Sequence, residues 1–336
     1  MKTLRVVVPA LVLAGAPSLK AQVLDLTLHD VGLAIGDKPV MTGLRLNFRD
    51  ARLEKVTGAN VTIWSPYKPI RGVVNGVALG LPVTGANQIH GLGVGVFGLS
   101  ADNSISGLGI GGIGLGAGGD LHGIMLGGIG VGTGGSAEGI TIGGIGVGTG
   151  GRIRGLQIGG IGVGGGGDVS GITIGGIGVG AGGRLSGLAI GGIGVGGGAD
   201  FKGIGVGGVG VGVGGDATGL MIGGIGVGAG GRLKGLSIGG IGVGAPAISG
   251  VVLTPIAAGT LNAHAIVLSG LYFKIEESGR FDGAAVSSVT NIRGAQHGLT
   301  IGLINYAREL HGVQVGLLNI SDNEGHRRVI PILSAR

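Results

Sequence analysis

Apolar and small residues follow one another along most of this chain with a beat of sixteen. The pair Gly111-Gly112 returns at Gly127-Gly128 and every sixteen residues thereafter as far as Gly239-Gly240. One unit reads Gly155-Leu-Gln-Ile-Gly-Gly-Ile-Gly-Val-Gly-Gly-Gly-Gly-Asp-Val-Ser170, and numbering its residues 1 to 16 makes the columns explicit. Eight whole units fill 107–234, and the near-identical block runs over 107–248. The opening residue extends the array in both directions. Gly43, Gly58, Gly76 and Gly91 open earlier units, and Gly250, Ala265, Gly283, Gly298 and Gly312 open later ones. Positions 2 and 4 are apolar in all eighteen units, and the residue before each opening is polar, from Thr42 to His311.

Period-2 alternation broken by glycine predicts a strand, a corner and a second strand. Positions 2 and 4 share parity, as do 7 and 9, and the Gly-Gly pair at 5 and 6 is the expected corner. Positions 10 to 14 form the wider return, and the apolar position 15 (Ile153, Val169, Leu185, Phe201) brings the chain inward again. A helix cannot carry seven or eight Gly per unit at about 1 kcal/mol each. The expectation is an all-β fold: a β-solenoid of about 18 coils, flattened and two-sided, though a three-sided coil fits the same pattern. Each coil completes the core of its neighbours, so stability belongs to the array. Positions 2 and 4 are expected to face that core, with Ile142, Ile158 and Ile174 as one buried ladder. Gly at positions 8 and 10 then faces outward as a smooth strip. Counted from the opening residue, Gly146, Gly162 and Gly178 share a place with Asn305 and Asn319.

The flanks complete the organisation. Lys2 and Arg5 precede an apolar stretch from Val6 to Ala16, and Ser18-Leu-Lys-Ala21 offers a cleavage site before Gln22, so 1–21 read as an export signal. Residues 22–42, with alternating Leu24, Leu26 and Leu28, are expected to cap one end of the 43–320 array. The charged tail 321–336 should blunt the other.

Composition sharpens this picture. The 336 residues include 88 Gly, 9 Pro and no Cys, which excludes collagen and any disulfide framework. A hydrophobic fraction of 43% with 12% charged residues excludes a disordered polar chain. Net charge falls from +6 to +3 once Lys2, Arg5 and Lys20 leave with the signal, and no basic run marks a nucleic-acid interface.

The C-terminal units carry the phrase Gly298-Leu-Thr-Ile-Gly-Leu-Ile-Asn-Tyr-Ala307, followed by Gly312-Val-Gln-Val-Gly-Leu-Leu-Asn-Ile320. This resembles bacterial surface repeat-containing proteins built from Gly-Leu-Gln-Ile-Gly-Leu-Ile-Asn-type repeats, a family with leptospiral members. Val61-Thr-Ile-Trp-Ser-Pro66 leading into Gly76-Val-Ala-Leu-Gly-Leu-Pro82 is similar to that family's N-terminal repeats. The match covers about 120 residues at the two ends, whereas the central block replaces Leu-Ile-Asn-Tyr-Ala by Gly-Ile-Gly-Val-Gly. The resemblance implies an exported repeat protein of the cell surface and transfers no catalytic residue.

Candidate chemistry is sparse. Phosphate-cradling Gly loops need a following helix, and the repeat provides none. Calcium-binding nonapeptides need Asp where Gly132, Gly148 and Gly164 stand. Asp120, Asp168, Asp200 and Asp216 share the position-14 column with Arg152, Arg184 and Arg232, which reads as alternating charge along one edge. His90, His122, His264, His297 and His311 fall in the polar column before an opening, and His297 and His311 belong to successive coils. They would lie about 5 Å apart, near enough to share a metal, but a third ligand is not evident. The expectation is therefore no catalytic residue, no cofactor, and an exported structural or interaction protein of the envelope. Self-association or an envelope partner is the expected use. An outer-membrane-embedded β-protein and a carbohydrate-binding or carbohydrate-active β-helix remain as alternatives.

Overall fold

The computed structural model describes residues 23–336, and the expected signal segment with its cleavage point lies outside them. Parallel coils stack into a β-solenoid. Each central coil holds a seven-residue strand and a four-residue strand, such as Ile153–Gly159 and Gly162–Gly165. Both pair in parallel with the same segments of the next coil, Ile153 beside Val169 and Val163 beside Val179. At about 4.8 Å per coil, eighteen openings give a rod roughly 80 Å long.

The columns explain why the chain turns where it does. At position 1, φ lies between +102° and +140° from Gly107 to Gly235, and a Cβ there would run into the carbonyl of the preceding coil's glycine. Position 6 is closed in the same way, since a Cβ on Gly144 would meet the carbonyl oxygen of Gly128. Position 10 is different. A Cβ on Gly148, Gly164 or Gly180 would meet nothing within 4 Å, so the fold itself does not require glycine there.

The core differs from the sequence expectation in one respect that decides the surface. The seven-residue strand runs unbroken through the opening glycine, so alternation proceeds from position 15 inward, 16 outward, 1 inward, 2 outward, 3 inward. Ile153, Val169, Leu185 and Phe201 are buried as expected, but positions 2 and 4 point out. The ladder Ile142, Ile158, Ile174 is therefore not core: Ile142 is 36% exposed and the other two are partly exposed. Position 3 is inside instead, with Thr141, Gln157, Thr173 and Ala189 all buried. That column varies because it shares a narrow interior with position 15. Phe201 fills the space of Gly205, whose Cβ would collide with its ring. Position 9 is buried as expected, whereas Ile145 and Ile161 at position 7 stand on the corner, each 49% exposed. Gly148 and Gly164 at position 10 are exposed, and Gly146 and Gly162 at position 8 partly so, as the outward strip requires.

Asn305 and Asn319 are the second correction. They pair with each other and with Thr290, in register with Phe273, Ala258 and Val243, and so belong to the buried position-9 column. From Ser287 onward each corner is one residue shorter than the central Gly-Gly corner, with a single glycine at Gly302 and Gly316, so each later residue stands one column beyond its count from the opening. Thr290 donates to Asn305 Oδ1 at 2.8 Å, and Asn305 Nδ2 donates to Asn319 Oδ1 at 2.8 Å and Val315 O at 3.0 Å. The expected amide ladder exists, but inside the rod. Column 8 in these coils holds Tyr272, Val289 and Ile304, and column 10 holds Lys274, Asn291 and Tyr306.

Both ends are closed by antiparallel strands. Leu24–Leu28 folds back on Val31–Ile35, which then pairs in parallel with Val40–Arg49. Arg328–Ala335 lies antiparallel on Val313–Ser321. Beneath the N-terminal end the core is ionic. Arg45, fully buried, donates to Asp50 Oδ1 at 2.5 Å, Asn60 Oδ1 at 2.8 Å, Asp37 Oδ1 at 2.7 Å and Lys38 O at 2.9 Å. A buried charge persists only with such complete pairing.

Candidate interaction surface

The reversed parity turns the most regular apolar columns into surface. Positions 2 and 4 form the outer face of the long strands, from Leu44 and Leu46 to Val313 and Val315, with an apolar residue at every one of the thirty-six places. Ile124, Ile172 and Ile204 at position 2 are 43–44% exposed. Position 7 follows around the corner: Phe97, eight Ile or Val from Ile113 to Ile225, then Ile241, Ile256 and Leu271. The strip made by positions 2 and 4 alone, about 12 Å by 80 Å, is on the order of 1,000 Å². The largest apolar patch of an ordinary monomer is about 300–600 Å².

Charge sits on the other edge. In the turn column each Asp carboxylate accepts a backbone N–H from the next coil: Ser136 N to Asp120 Oδ1 at 2.7 Å, Arg184 N to Asp168 Oδ1 at 2.9 Å, Asp216 N to Asp200 Oδ1 at 2.9 Å and Arg232 N to Asp216 Oδ1 at 2.7 Å. These Asp residues therefore join coil to coil, a role beyond alternation with Arg. The backbone N–H of Arg184, aided by its guanidinium 3.3 Å away, holds the Asp168 carboxyl below the usual carboxylate value. Position 16 borders the apolar face with polar residues, among them Glu138, Arg154, Lys202 and Lys234.

The histidine column is brought together only in part. His297 and His311 stack with ring centroids 4.9 Å apart and planes 20° apart. Lone pairs of stacked rings lie in nearly parallel planes and do not converge on one ion. His122 approaches Glu138 at 3.9 Å and His297 approaches Asp282 at 3.8 Å. Among the described residues no group of three or more His, Cys, Asp or Glu is placed to hold a metal, and no helix is long and apolar enough to cross a membrane.

Sequence reasoning missed the apolar face and the Arg45 network for one reason. Both follow from position 3 being inside, and Arg45, Asn60 and Gln157 at that position argued visually for solvent. The available signal was position 15, whose inward direction fixes that of 3 through an unbroken strand. No family model, curated protein or solved structure matches the chain.

Proposed function

We propose that this chain is an exported structural or interaction protein of the cell envelope, without catalysis, whose rod docks through its apolar long face on another extended surface. The observation that carries the reading is the unbroken pair of outward apolar columns, a strip larger than the apolar patches ordinary monomers expose. The charged turn edge beyond position 16 bounds this face on one side and the apolar corner at position 7 on the other. The smooth glycine plane on the short strands is its second broad face.

The test combines fractionation with an outward substitution. Ile142→Lys, Ile158→Lys and Ile174→Lys together should leave circular dichroism unchanged and move the protein from the envelope fraction to the soluble one. Retention of the triple variant in the envelope would count against the reading. The mature N-terminus should fall at or within a few residues of Gln22, and an intact Met1 would remove the export component.

A further inference from the structure

We propose that the surface covered by this apolar face is a second copy of the same chain, packed face to face and antiparallel about a two-fold axis at the level of Ser186. The proposal rests on the docking reading above and names its occupant. Area is the first argument: a strip on the order of 1,000 Å² on each copy exceeds the roughly 800 Å² per partner that a stable interface buries. Pitch is the second. Two sheets of identical coil spacing interlock their side-chain rows along their whole length about 10 Å apart, and an isologous pair needs the same patch on both copies.

Charge on the border of the face narrows the axis: of the registers within one coil, only those centred on Ser186 and Ser170 avoid like-charge contacts, and the Ser186 register is preferred because the other leaves Asp282 opposite Thr57. Position 16 lies on the same outer face as positions 2 and 4, so an antiparallel partner brings position 16 against position 16 with coil order reversed. Eighteen such residues run from Thr42 to His311, and Ser186 is the tenth. A two-fold through that coil sets Glu138 opposite Lys234, Asp282 opposite His90 and Arg154 opposite Thr218. Glu138 meets a cation, Asp282, already bound by Arg280 at 2.8 Å, meets an imidazole, and no two like charges meet. Moving the axis half a coil toward the N-terminus sets Arg154 against Lys202, and half a coil the other way sets Arg154 against Lys234. Like-charge contacts of that kind disfavour a register. Each charged pair is formed twice in the dimer, and Glu138 and Lys234 are free for it. In the monomer Glu138 has only the distant contacts at 3.9 and 4.0 Å to His122 and Arg154.

A lipid surface would accept the same apolar rows but has no register, and charge reversal separates the two. Sedimentation of the purified full-length protein should show a dimer in detergent-free buffer. Glu138→Lys should weaken it roughly tenfold, and Lys234→Glu added to Glu138→Lys should restore it, since rim charges act through complementarity. Both residues are on the surface, so the variants keep their fold by circular dichroism. A wild-type chain that stays monomeric at about 50 µM, or higher polydisperse assemblies, would overturn the proposal. So would a double variant no tighter than Glu138→Lys. Flotation with vesicles of phosphatidylethanolamine and phosphatidylglycerol then decides the broader reading. A monomer that floats keeps an apolar docking face with lipid as its occupant, and a monomer that does not float removes the docking reading as well.

Discussion

Ile142 and Ile153 lie on adjacent paired strands, Ala137–Gly143 and Ile153–Gly159, and the structure gives them opposite fates. Ile153 is 1% exposed, between Ala137 and Val169 in its column and against Gly165 across the core. Ile153→Ala deletes three methylene-sized groups, about 2.4 kcal/mol of transfer free energy at about 0.8 each. A residual cavity on the order of 50 Å³ adds about 1.2 kcal/mol, for a cost of about 3.6. Ile142 is 36% exposed, so the same truncation forfeits only about two-thirds of the transfer term, about 1.5 kcal/mol, and leaves no enclosed void. Repeat arrays need not unfold in one step, so a global midpoint would blur the contrast. Native-state hydrogen exchange reads it locally. Amides of strand Ile153–Gly159 should open several hundred-fold faster in Ile153→Ala, and those of Ala137–Gly143 about tenfold faster in Ile142→Ala. Both are to be measured dilute enough that no second copy covers Ile142. Equal accelerations, or a larger one for Ile142, would refute the reversed parity and return positions 2 and 4 to the core.

Three further outcomes follow from the same columns. Gly148→Ala, Gly164→Ala and Gly180→Ala should each be neutral or stabilising by up to about 1 kcal/mol, since space is open and the unfolded chain loses freedom. Gly144→Ala should visibly disturb the corner, and thermal melts showing no difference between the two sets would contradict the assigned positions. Asn305→Leu strips hydrogen bonds from the Thr290 hydroxyl, the Asn319 amide oxygen and the Val315 carbonyl. At about 1–3 kcal/mol per buried orphan, the coil 304–321 should exchange with solvent as an early-opening unit, and unchanged protection there would sink the interior ladder. The Asp322 carboxyl is held below its ordinary 3.8, first by the Arg327 guanidinium and then by the Tyr306 hydroxyl. A depressed folded-state value stabilises above the unfolded value and is lost as pH falls through the folded one, so the C-terminal cap should hold at pH 5 and loosen only below about pH 4. Loosening that begins near pH 6 in amide spectra would point to another group.

Much of this architecture is legible in the chain because glycine is demanded at places that recur. In the central block the opening glycine and the corner glycine leave no room for a Cβ, and their spacing announces coil length and strand order. The side of each strand is harder to read. Parity is relative, and a run such as Leu156-Gln-Ile158 invites the assignment of its apolar members to the core. The physical tie-breaker is distant in the unit: Ile153 and Val169 must be inside, and the unbroken strand then sends Gln157 in and Leu156 and Ile158 out. Counting from the opening fails for Asn305 for a related reason. A corner of one glycine in place of two changes which face every later residue meets, and only the ladder with Val289 and Thr290 reveals it.

The rod thus spends its hydrophobic residues in an unusual distribution. Its interior is small and accommodates Thr, Gln, Asn and even Arg45, because coil-to-coil hydrogen bonds and neighbouring side chains satisfy polar groups there. Its exterior keeps the invariably apolar columns. A sequence tuned for an isolated soluble rod would place those residues the other way round, with variable polar side chains at positions 2 and 4. Stacking alone needs only that each column be compatible with itself at about 4.8 Å, and Thr or Val satisfies that as well as Ile. Eighteen coils without one polar exception at two outward positions therefore point to a demand outside the coil. The polar residues of position 16 stop abruptly at its border. That boundary, drawn at the same place in every unit, is what the proposed docking of this face would leave in a repeat.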